Sequence, residues 1–91
     1  MNSAQELLPS LKVDLGITST AFDSRLTAYI QNAQAEIQRE GVTLTNSIED
    51  AELTIKYAAW TWRKRTTGEG MPRMIRFALN NRLFSEKAST T

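Results

Sequence analysis

The chain has 91 residues, 41% of them apolar and 23% charged, with a net charge of +1 and neither cysteine nor histidine. That length supports one domain with a single modest core, burying about two thirds of the surface the unfolded chain exposes. The composition is that of an ordinary folded chain, and it excludes disulfides, thiolate nucleophiles, thiolate metal sites and the usual imidazole base or zinc ligand.

No apolar run approaches the roughly 20 residues of a membrane span. Met1-Asn2-Ser3-Ala4-Gln5 has no basic segment ahead of an apolar one, so an intracellular, non-exported protein is expected. The net charge conceals a separation. Residues 1–53 hold three cations against eight acids, net −5, and residues 54–91 hold eight cations against two acids, net +6. The two halves either pair within one molecule, or stack head to tail on copies, or turn the basic side to nucleic acid.

Residues 1–6 carry little pattern and are expected to be flexible. Leu8, Leu11 and Leu15 recur at helical spacing, with Pro9 suited to a first turn and Gly16 to a stop, which predicts a short helix over 9–15. A competing start at Ser3, with Glu6 completing a capping box, would leave Pro9 in the helix interior, where it clashes with the preceding turn. Thr20 with Asp23 signals the next start, and a helix over 21–40 ends at Gly41. Its Phe22, Leu26, Tyr29, Ile30, Ala33 and Ile37 fall within about 100° of arc, with Arg25, Gln31, Gln34, Gln38 and Arg39 outside it. Val42-Thr43-Leu44 reads as a short extended connector, and Asn46-Ser47 with Asp50 as a cap.

The third helix, over 48–65, carries two apolar stripes. Ile48, Ala51, Ile55, Ala58, Ala59 and Trp62 form one, and Leu53, Tyr57 and Trp60 form a second, nearly opposite. Trp60 and Trp62 stand about 200° apart and cannot share a pocket. A helix apolar on two faces needs cover on both, from another helix or from a neighbouring subunit. Trp60, on the shorter stripe, is the interface candidate, together with Tyr57. Residues 66–70 form a loop, Pro72 opens a last helix over 72–84, and 85–91 are expected to fray. The apolar arc of that helix contains Met74, Ile75, Ala78 and Leu79, with Arg82 projecting into it. The fold class is therefore all-α: one domain over 1–91, a small bundle of about four helices with a central third helix.

Glu36 with Glu40, and Glu49, Asp50 and Glu52, are acids without the burial that acid and base catalysis requires; those at the start of the third helix complement its dipole. Gly68-Glu69-Gly70 lacks the lysine and hydroxyl of a phosphate loop. No catalytic, cofactor or metal residue is assigned. The cations are the better candidates. Arg63, Lys64 and Arg65 suit a helix C-terminus, whereas Arg73 and Arg76 stand at a helix start, where the dipole disfavours them, and call for acids of another chain or phosphates. Arg82 is either a snorkelling side chain or a buried interchain ion pair. An alternative is a helix-turn-helix DNA-binding module, with Arg73, Arg76 and Asn80 of the helix after Pro72 projecting into a groove. The long loop before that helix and the near-neutral total charge weigh against it.

Leu11-Lys12-Val13-Asp14-Leu15-Gly16-Ile17, then Ala33-Gln34-Ala35-Glu36-Ile37 ending in Glu40-Gly41-Val42-Thr43-Leu44, then Tyr57-Ala58-Ala59-Trp60 and Met71-Pro72-Arg73-Met74-Ile75-Arg76 before Leu79-Asn80-Asn81-Arg82, form a pattern along the chain. It resembles that of the small head-tail connector proteins of long-tailed bacteriophages and prophages, also labelled head-completion or DNA-packaging proteins. The resemblance covers about residues 7–84. It implies a helical adaptor, not an enzyme, that assembles with copies of itself into a ring below the portal, extends the DNA channel and docks the tail or a second connector. Its place would be the virion head-tail junction, and the bacterial host cytoplasm during assembly. The partners would be the portal, the tail or next connector and double-stranded DNA in passage, with no membrane, cofactor or small-molecule substrate. Joined to the residues above, it gives Tyr57, Trp60, Arg73, Arg76 and Arg82 as subunit or portal contacts, and Arg63, Lys64 and Arg65 as cations facing a partner or the DNA channel.

Overall fold

A computed structural model describes residues 1–89 as four helices: α1 (Ala4–Leu15), α2 (Asp23–Arg39), α3 (Ile48–Thr67) and α4 (Arg73–Ser89). There is no strand among the described residues, and the class is all-α. The central element is α3, with α1 and α2 packed on one side of it and on each other, and α4 on the other side.

α1 begins at Ala4, five residues before the proline expected to open it. Ser3 caps it, accepting from the Glu6 amide, while Glu6 accepts from the Ser3 amide. That start puts Ala4, Leu7 and Leu11 at helical spacing in the core, burial that a start at Pro9 would forfeit. Pro9 accordingly lies inside the helix, on its exposed side. The first residues are also held from α2, where buried Gln34, read as an outward-facing residue, donates from Nε2 to the Asn2 carbonyl at 2.7 Å. Gly16 ends α1 in the left-handed conformation, φ 69°, which costs glycine nothing.

α2 starts at Asp23 rather than 21, and Thr20 does not cap it: Phe22 is the N-cap and makes no side-chain cap bond. Leu26, Ile30, Ala33 and Ile37 face the core. The connector then alternates, Val42 and Leu44 buried and Thr43 exposed, and Ser47 caps α3 through the Asp50 amide. α3 runs 20 residues, about 30 Å, and is capped by Gly68, whose φ of 67° and backbone N–H, donating to the Lys64 carbonyl, end it.

Both stripes of α3 are covered within one chain except at Ile48, the first residue of the longer stripe, which is 83% exposed. Trp62 meets Phe22 and Tyr29 of the α2 side edge-on, at centroid distances of 5.8 and 5.2 Å. Leu53, Tyr57 and Trp60 are buried as well, because α4 contributes Ile75 and Leu79 to the core and the loop before it folds back over Trp60. α4 itself continues through Ser89, five residues beyond its expected end at 84. Residues 4–6 and 85–89, expected to be flexible ends, thus belong to helices, and residues 90–91 of that expectation lie outside the described residues.

Candidate functional site

Trp60 is only 9% exposed and its indole Nε1 donates to the Gly70 carbonyl at 3.1 Å; Tyr57 packs edge-on against it at 5.3 Å. Both side chains thus have their cover inside the chain, which corrects the premise on which a neighbouring subunit was invoked for them. Burial and the Glu36 and Glu40 carboxylates raise the Tyr57 phenol above its ordinary value, so it stays neutral.

Arg82 is neither snorkelling nor waiting for another chain. Its Nε donates to Asp50 Oδ1 at 2.7 Å and its Nη2 to Asp50 Oδ2 at 3.2 Å and to the Thr43 carbonyl at 2.7 Å, while Nη1 reaches Glu86 at 2.9 Å. Asp50, 1% exposed at the start of α3, also accepts from the Thr45 amide and hydroxyl at 2.7 and 2.8 Å. Burial alone would push the Asp50 carboxyl up, but the Arg82 guanidinium and the two Thr45 donors hold it below its ordinary value. The same bonds raise Arg82 further above its ordinary value. Asp50 is therefore more than an acid at a helix start: it is the knot that ties α4, α3 and the connector together.

Arg76 is also satisfied locally, forking onto Glu40 at the end of α2 with bonds of 3.1 and 3.3 Å. The charge separation between the halves is thus partly neutralised inside the molecule, by Arg76 with Glu40 and Arg82 with Asp50. Among the expected interface arginines, Arg73 remains exposed and has no ion pair among the described residues.

Around the end of α3 the cations lean on aromatic and backbone groups. Lys64 Nζ lies 4.5 Å from the Trp60 ring centroid and Arg65 Cζ 3.8 Å from that of Trp62, both cation–π contacts. Arg63 donates to the Asp14 carbonyl at 3.1 Å, linking α3 to the end of α1. None of the three has an ion pair among the described residues, and all are exposed. Arg73, across the loop at the start of α4, is a fourth exposed cation without an ion pair among the described residues. Exposed Glu49 and Glu52 occupy the other end of α3, likewise without an ion pair among the described residues. Beside the cations an open groove of about 610 Å³ is bounded by Tyr29, Tyr57, Trp60, Lys64 and Glu69.

One surface escaped the sequence reading. Met74, expected on the apolar arc of α4, is 74% exposed, and Phe77 and Phe84 are 55% and 76% exposed. The buried arc of α4 centres on Ile75, Leu79 and Arg82, which leaves Met74 one step outside it. The spacing 74, 77, 84 is that of one helix face and was the available signal.

Among the described residues no group of three or more carboxylates stands where it could hold a metal ion, and no helix is long and apolar enough to cross a membrane. No protein-family model matches the chain, nor does any curated protein or solved structure.

Proposed function

We propose that the chain is a structural subunit of a phage head-tail connector. In this reading it assembles with copies of itself into a ring below the portal, extends the DNA channel and docks the tail or the next connector; it does no catalysis. The observation that carries the reading is the charge polarity of α3: Arg63, Lys64 and Arg65, with Arg73 at the start of α4, without ion pairs at one end, and Glu49 and Glu52 without ion pairs about 20 Å away along the helix at the other. A surface positive at one end and negative at the other favours heterologous contacts, which close into a ring when the rotation between copies permits. The sequence resemblance supplies the setting, at the virion head-tail junction. Contact with the portal or with DNA in passage falls to the four cations; Arg76 and Arg82, engaged inside the chain, no longer belong to that set.

The helix-turn-helix alternative draws less support. Arg76 is held by Glu40, and the outer face of α4 presents Met74, Phe77 and Phe84 where a recognition helix needs polar side chains. Co-sedimentation with portal particles from the same phage separates these readings. The connector reading predicts that the chain travels with the portal and that the triple change Arg63→Glu, Lys64→Glu, Arg65→Glu releases it. A chain that leaves portals bare but shifts duplex DNA in a salt-dependent way would replace this reading with the alternative.

A further inference from the structure

The exposed apolar residues of α4 follow a finer pattern than a patch. Met74, Phe77, Asn81 and Phe84 are spaced by three, four and three residues, the a-d-a-d seam of two heptads, and all four are exposed. The seam lies on the side of α4 away from Ile75 and Leu79, which pack into the core, so nothing in the described chain covers it. An exposed seam of this kind needs a facing helix to exclude water from it.

We propose that this seam is a contact with a second copy of the chain, in which two α4 helices pair in parallel about a two-fold axis. Two observations select this occupant and this orientation. The first is Asn81, the polar residue at an otherwise apolar a position. In a parallel pair each a residue faces its own counterpart, and two asparagines satisfy one another by a mutual amide hydrogen bond. In an antiparallel pair Asn81 faces Phe77 and its amide is buried without a partner, a costly arrangement. The second is the charge beside the seam. One flank carries Arg73, Asn80 and Lys87, at the g positions. The other flank, with Ala78 and Ser85 at the e positions, borders a groove of about 400 Å³ that Asn81 also lines and whose opposite wall on α3 carries Glu49, Glu52 and Lys56, a net negative set. A parallel pair sets the g flank of one copy against the e flank of the other, cations facing the carboxylate side. An antiparallel pair sets g against g and brings the cations together.

The seam is only two heptads long, but the helix is already ordered by its packing on α3, so association does not bear the cost of folding it. A two-fold contact closes on itself, unlike the heterologous contact of a ring, and its existence does not rest on the connector reading. The pair is a state of the free chain that uses a face of α4 separate from the end-to-end charges of α3.

The chain has no cysteine, so single introduced thiols report the orientation without interference. Under mild oxidation of the isolated protein at high micromolar concentration, Asn81→Cys alone and Phe77→Cys alone each form a disulfide-linked dimer. Sedimentation velocity of the native chain shows a monomer–dimer equilibrium between micromolar and millimolar concentration. Phe77→Glu weakens that equilibrium at least tenfold (about 1.4 kcal/mol), with the helical circular dichroism and melting retained because the side chain is exposed. A native chain monomeric throughout that range overturns the proposal and leaves the seam to a helix of another protein. Cross-linking that occurs only when the Phe77→Cys and Asn81→Cys chains are mixed overturns the parallel orientation. No portal enters these experiments, so their failure is distinct from failure of the connector reading.

Discussion

Asp50 and Arg82 stand 32 residues apart in sequence and meet where α4, the start of α3 and the connector converge. A buried bidentate pair of this kind contributes little over an apolar pair of the same volume, but removal of one partner strands a desolvated charge. Arg82→Ala is therefore expected to destabilise the fold by about 3–5 kcal/mol, whereas Asp50→Leu with Arg82→Met should be far milder than the sum of the single changes. Chemical denaturation of the native chain, Arg82→Ala, the single changes Asp50→Leu and Arg82→Met, and their combination checks this. The pH dependence has a definite sign. The Asp50 carboxyl is lowered in the folded state, so its contribution is fully present above the unfolded value of about 4 and is lost as pH falls through the folded value. Stability measured between pH 6 and pH 2 should decline more gently in Asp50→Asn than in the native chain once pH drops below about 4.

At the scale of the elements, α1 holds a proline in its second turn. Pro9 has no amide to offer the Gln5 carbonyl, and its ring crowds that carbonyl, yet the helix forms because Ala4, Leu7 and Leu11 bury and the Ser3–Glu6 box closes its start. Pro9→Ala at this exposed position is expected to raise stability by about 1–3 kcal/mol and the melting temperature with it, as calorimetry can measure. Four helices, their order and the central place of α3 were legible from apolar spacing and from local signals such as Gly16 and the Ser47 cap, whereas Thr66 and Thr67, expected in the loop, extend α3 to its cap at Gly68. The start of α1 was not, because Pro9 is itself a good first-turn residue and its cost was set against local spacing alone. The candidate site was legible in part. Arg63, Lys64, Arg65 and Arg73 are exposed as expected, but Arg76 and Arg82 find carboxylates 36 and 32 residues away, which no local pattern announces. Trp60 is covered by a loop that returns over it and accepts its indole N–H at the Gly70 carbonyl, a contact that apolar spacing does not announce.

For the molecule as a whole, 45 × 27 × 18 Å, a central helix covered on both sides removes the need for a neighbour to complete the core. The surfaces the fold leaves open, on which the proposed contacts rest, are the opposite charges at the two ends of α3 and the seam on α4. A self-sufficient core lets the chain fold without a neighbour. Because the end-to-end contact would be electrostatic and solvent-exposed, raising the salt concentration should weaken binding to a portal while leaving the fold intact, which parallel sedimentation and circular dichroism would show. Negative-stain microscopy of the protein mixed with purified portal particles tests the proposed connector role. An added ring of density on the lower face of the portal is expected, lost when Arg63, Lys64 and Arg65 are replaced by glutamate. Portals that remain bare at saturating concentrations of the folded chain would contradict that role.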